Sequence, residues 1–98
     1  MTDKKPDGVQ IPIKADDAVQ TGLYSNLARI SHTAEAFQAD FLVVHSLPPY
    51  GRLQARIILT PGHAKRLLRA LQENLERFEE RYGTVRQAEP PAPDGYIQ

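Results

Sequence analysis

Cations crowd a stretch of this chain that holds no acid. Arg52, Arg56, Lys65, Arg66 and Arg69 all fall between Phe41 and Gln72, with His45 and His63 among them, and no Asp or Glu interrupts the run. Guanidinium and ammonium groups gathered this way suit carboxylates and phosphates. Arg52, Arg56, His63, Lys65, Arg66 and Arg69 are therefore the expected partner-binding patch. Its partner would be an acidic protein or, as the alternative, single-stranded nucleic acid, with Tyr24 and Tyr50 placed to stack on bases. The whole molecule argues against a general nucleic-acid binder: 12 basic residues balance 12 acidic ones, whereas such proteins usually carry a basic excess.

Other chemistry finds little footing. There is no cysteine, so thiolate metal sites, disulfides and a Cys nucleophile are excluded together. His32, His45, His63 and Asp40 lack the spacing of a metal site. Ser31 and Ser46 have no nucleophile-elbow context. The glycine of Pro61-Gly62-His63 does not form a phosphate-cradling loop. No catalytic residue, metal or cofactor is expected, and a chain this small rarely encloses a pocket. The reading is a non-enzymatic protein.

Three apolar segments and one long amphipathic run must position the patch. Leu23–Ser31 is a strand candidate with Leu27 on one side and Tyr24, Ala28 and Ile30 on the other. Thr33 and Glu35 then suit a chain reversal. Phe37–His45 alternates well, with Phe37, Ala39, Phe41 and Val43 on one face, while Leu42 and Val44 make its second half apolar on both sides. Ser46–Gly51 is a rigid loop with two prolines and a glycine. In Arg52–Thr60 the alternation sends Leu53, Ala55, Ile57 and Leu59 inward and Arg52, Gln54 and Arg56 outward, with Ile58 as an outward exception.

Thr60–Gly83 reads as one helix with both ends marked. Thr60 suits the N-cap, Pro61 the first turn and Gly83 the C-terminal stop. Ala64, Leu68, Leu71, Leu75, Phe78 and Tyr82 recur at steps of four and three, widened by Leu67. The spacing fits both a helix-pair seam and a stripe laid on a sheet; the preceding strands favour the sheet. Its charges run against the helix dipole: His63, Lys65, Arg66 and Arg69 lead, and Glu73, Glu76, Glu79 and Glu80 follow. An antiparallel helix pair would set one half against the other. An anion at the N-terminal end, or a merely solvated face, are the competing explanations.

The expected architecture is α+β: a three-stranded antiparallel meander followed by one long helix packed on one sheet face. Residues 1–20 read as a flexible arm, with an edge strand over Val9–Ile13 as the alternative, 21–83 as the domain, and 84–98 as a disordered Pro-rich tail. A domain of about 60 structured residues is marginal alone. The outer sheet face would show Tyr24, Ile30, Leu42, Val44 and Ile58, too much apolar surface for water. Those residues are the expected interface of a homo-oligomer, most simply a dimer. With no leader or membrane-spanning run expected, a cytoplasmic location is the default.

The motifs Tyr24-Ser25-Asn26, Ile30-Ser31-His32, Phe37, Asp40-Phe41, the Pro–Gly loop and Thr60-Pro61-Gly62-His63-Ala64-Lys65, with Asn74 and Glu79, resemble a bacterial and archaeal family known only as a domain of unknown function. The resemblance covers Leu23 to Gly83. It implies the same order of three strands and a helix, and it carries no activity, ligand or catalytic residue. Sheets with one long helix that pair into dimers also occur in single-strand-binding proteins and secretion chaperones, an analogy of fold alone.

Overall fold

The computed structural model describes residues 8–92. In chain order these form α1 (Asp17–Thr21), β1 (Leu27–His32), β2 (Phe37–Ser46), β3 (Pro49–Leu59) and α2 (Pro61–Tyr82). The strands make an antiparallel sheet in the order β1-β2-β3, the expected meander. Val9, Ile11 and Ile13 are exposed and form no strand, and the five residues of α1 bury nothing. Those parts of the arm and tail expectations that fall on residues 1–7 and 93–98 lie outside the described residues.

Local chemistry accounts for the turns. Between β1 and β2 the Thr33 amide donates to the Ala36 carbonyl (2.9 Å), and the Thr33 hydroxyl accepts from the amides of Glu35 and Ala36. This threonine closes its own reversal. Only Leu47 and Pro48, joined by a cis peptide, separate β2 from β3, so Tyr50 and Gly51 belong to the strand instead of the loop.

The start of β1 is held by side chains that imitate backbone. Asn26 Nδ2 donates to the Val44 carbonyl (3.0 Å), and its Oδ1 accepts from the Val44 amide (2.9 Å). The Asn26 amide and the Ser25 hydroxyl both donate to the Leu42 carbonyl. One carboxamide thus adds a further rung to the β1–β2 ladder. The Tyr24-Ser25-Asn26 motif has a structural reason.

The faces differ from the alternation in one place. Phe41 pairs with Ala55 but Leu42 pairs with Leu53, leaving Gln54 as an extra residue on β3. This bulge reverses the sidedness of everything in β3 before it. Gln54 uses its freedom to brace the sheet, its Nε2 donating to the Tyr24 carbonyl (3.0 Å). Face one carries Ala28, Ile30, Phe37, Ala39, Phe41, Val43, Arg52, Ala55, Ile57 and Leu59. Face two carries Leu27, Arg29, Asp40, Leu42, Val44, Leu53, Arg56 and Ile58. Leu53, expected beside Ala55 and Ile57, lies across the sheet from them.

Ala39 and Leu59 are buried on face one, and the packed cluster of the small core lies on face two. Leu42 and Val44, each 7% exposed, pack with Ala92, which is 8% exposed, and Leu27 leans on the group. The segment expected to be disordered therefore returns as far as Ala92 and covers the sheet. Ten extended residues from Gly83 span about 33 Å, enough to retrace a helix of 22 residues at 1.5 Å per residue.

The helix forms as its caps dictate. The Thr60 hydroxyl accepts from the His63 amide (3.2 Å), Pro61 occupies the first turn, and Gly83, at φ 104°, donates its amide to the Glu79 carbonyl. Its expected packing across one sheet face does not occur within the chain. No residue of α2 is buried, and it touches the strands only marginally. Thr60 alone links β3 to α2, in an extended conformation (φ −69°, ψ 154°), and Pro61 is already helical. Connections of this kind usually take 2–6 residues; one extended residue does not fold the helix back. The Cα radius of gyration, 17.5 Å, exceeds the roughly 13 Å of a compact chain this long.

Two substitutions test this account of the core. At fixed protein concentration, Leu42→Ala is expected to cost about 2 kcal/mol in urea unfolding. Asn26→Ala is expected to cost about 1–2 kcal/mol, because it leaves the Val44 amide and carbonyl without partners.

Candidate functional site

A charged row crosses face two. In the register of the sheet Asp40, on the central strand, stands between Arg29 of β1 and Arg56 of β3. Asp40 is 5% exposed. Arg56 grips it with both arms of its guanidinium: Nε donates to Oδ1 (2.8 Å) and Nη2 to Oδ2 (3.0 Å). The central strand can bury this charge because a bidentate pair satisfies both carboxylate oxygens at once. The hydrogen bonds from Arg56 hold the Asp40 carboxyl below the usual aspartate range, against the opposing effect of burial, and the charges of Arg56 and Arg29 add to the lowering. The same contacts push the Arg56 guanidinium up. Asp40 is thus held ionised at neutral pH, with no proton to give there.

This pairing takes Arg56 out of the expected patch, since its charge is spent on Asp40. The bulge divides the patch further. Arg52 pairs with Val43 on face one, whereas Arg56 lies on face two. The alternation gave the two arginines a shared side; one extra residue between them removes it.

The helical members do gather. Lys65, Arg66 and Arg69 line one open side of the first turns of α2, with Gly62, Leu68 and Gln72 between them. Each is exposed, and among the described residues none of the three is ion-paired. The backbone amide of His63 is already committed to the Thr60 cap. His32 stacks on Phe37 and His45 on Tyr50 at opposite ends of β2. Among the described residues no three metal-ligating side chains come together.

The expected oligomer interface is likewise split. Leu42 and Val44 belong to the chain's own core beneath Ala92. Ile30 lies on face one, opposite Ala39, whereas Ile58 lies on face two, opposite Gln38. Tyr24 precedes β1 and is exposed. Face one is open only in part: Ile30 (61%) and Ile57 (45%) are exposed, Phe37, Phe41 and Val43 are half-buried, and Ala39 and Leu59 on the same face are buried. The helix stripe is uncovered: Leu68 is 65% and Leu71 64% exposed, and Leu75, Phe78 and Tyr82 follow.

Residues 1–87 match the model of the family described as Protein of unknown function (DUF3467). The chain belongs to that family. No curated protein and no solved structure matches it. The matched span takes in the Ser25–Asn26 clasp, the Asp40–Arg56 pair, the bulge and all of α2, and stops before Ala92. No described helix is long and apolar enough to cross a membrane.

The Asp40–Arg56 pair makes stability depend on acid in a definite direction. Its folded pKa lies below the ordinary aspartate value of about 3.9. The contribution is therefore whole above that value and is lost as pH falls through the folded one. Thermal melts across the acid range should show this loss in the native chain. In Asp40→Asn the same component should be missing, leaving a lower stability at neutral pH and a flatter acid limb.

Proposed function

We propose that this chain is a small non-enzymatic binding and assembly module that works as a homodimer in the cytoplasm. One observation carries the reading: the apolar stripe of α2 lies open, from Leu67 to Tyr82, and Ile30 and Ile57 are exposed on face one as well. Apolar surface on this scale is costly in water and marks interaction sites in soluble proteins. A chain whose buried apolar residues, among those described, are Ala39, Leu42, Val44, Leu59 and Ala92 gains most by sharing these surfaces with a copy of itself. The one buried carboxylate among the described residues, Asp40, is locked to an arginine.

Sedimentation velocity in the micromolar range is expected to show a dimer. Leu71→Glu, which alters a side chain exposed in the single chain, should shift the population to monomer while the circular dichroism of the strands persists. A native chain that remains monomeric across that range contradicts the reading.

A second reading rests on Lys65, Arg66 and Arg69, cations gathered on one side without ion-pair partners among the described residues. They would suit the phosphates of a single nucleic-acid strand. Anisotropy of a labelled oligonucleotide decides the matter: phosphate-led binding falls steeply as salt rises and disappears in Lys65→Glu/Arg66→Glu. Absence of binding at low salt removes this reading.

A further inference from the structure

We infer that α2 pairs with α2 of a second copy in antiparallel order, about a two-fold axis near Glu73. The inference rests on the self-association proposed above and specifies its seam. The stripe Ala64, Leu68, Leu71, Leu75, Phe78, Tyr82 has steps of four, three, four, three and four, which read the same in both directions. An antiparallel copy therefore sets every stripe residue against another: Ala64 against Tyr82, Leu68 against Phe78, and Leu71 against Leu75. The smallest residue meets the largest at each end, so the layers fill without overpacking.

Polar and charged residues beside the stripe agree with this order. In the heptad frame that makes Leu68, Leu75 and Tyr82 one seam row and Ala64, Leu71 and Phe78 the other, Lys65 of one copy lies beside Glu79 of the second. The contact occurs twice by symmetry. Asn74 meets its own counterpart near the axis, where two carboxamides can exchange hydrogen bonds. A parallel pair would instead bring the Lys65, Arg66 and Arg69 end against itself and the Glu76, Glu79 and Glu80 end against itself. The charge order that opposes the helix dipole within one chain becomes complementary between two.

The exposure of the seam is what makes it available. Leu68, Leu71, Leu75, Phe78 and Tyr82 are all open in the single chain, while the caps at Thr60 and Gly83 hold the helix whole over that length. Most of the stability of a protein helix comes from packing its amphipathic face, and no residue of α2 is buried within the chain. A second copy supplies the packing that the sheet does not.

A charge exchange tests the order. Lys65→Glu and Glu79→Lys should each weaken self-association on the order of tenfold, since two attractive contacts become repulsive. An equimolar mixture of the two variants should recover the native affinity as a heterodimer. Helical circular dichroism checks that Glu79→Lys, which also removes an acceptor for the Val85 amide, keeps the helix. Because the native chain has no cysteine, a short bismaleimide supplies an independent readout. Leu68→Cys mixed with Phe78→Cys should cross-link between the two variants, and neither should cross-link to itself. Linkage of Leu68→Cys to itself would mean parallel pairing and overturn the inference. A dimer with no α2 linkage and no response to either charge variant would overturn the inference yet leave self-association standing. A monomer throughout would overturn both.

Discussion

A single residue governs the shape of this molecule. Thr60 joins an 11-residue strand to a 22-residue helix with no intervening loop. Its extended backbone, its hydroxyl bond to the His63 amide and the fixed φ of Pro61 start the helix in the direction in which β3 delivers the chain. The helix therefore leaves the sheet it would otherwise cover. Two consequences follow from that departure: an amphipathic helix keeps its apolar stripe in the open, and Ile30 and Ile57 on face one stay exposed. The chain has made the two complementary halves of a sandwich and separated them.

Face two shows what the chain covers for itself. There the segment after α2 comes back to place Ala92 on Leu42 and Val44, and the Asp40–Arg56 pair occupies the middle of the sheet. A buried pair of this kind is a weak source of net stability, because desolvation offsets the attraction. Its clearer effect is on register. A slip of β3 by one residue would turn Arg56 to the other face and leave Asp40 without it, so the pair and the Gln54 bulge together hold β3 in one alignment. The Ser25–Asn26 clasp does the same for β1. The polar side chains of Ser25, Asn26, Asp40 and Arg56 thus serve the sheet's alignment.

Much of this was legible in the residues. Threonine, proline and glycine at the ends of α2 announced their caps, and strand periodicity marked three antiparallel segments within a few positions of their observed ends. The relation of the helix to the sheet was not legible, because periodicity reports that a stripe needs cover and is silent on which chain supplies it. The bulge was equally hidden. Leu53-Gln54-Ala55-Arg56 alternates without a flaw, and only the pairing of Phe41 and Leu42 across the ladder reveals the extra residue. That one irregularity separated Arg52 from Arg56 and so dissolved the strand part of the expected patch, the part drawn from alternation. Ala92 was missed for a related reason: a proline-rich composition describes a segment's own preferences, while its burial depends on the Leu42 and Val44 side chains it packs against.

The central claim is that α2 acquires its cover from a second copy. Hydrogen exchange followed across a dilution series reads this most directly, since amide protection reports local opening. The account predicts that α2 amides from Leu67 to Tyr82 are protected at high concentration and lose that protection on dilution, while β2 amides from Ala39 to Val44 hold theirs longer. Protection of α2 that is the same at every concentration would mean that the chain covers its own helix, and would contradict the account.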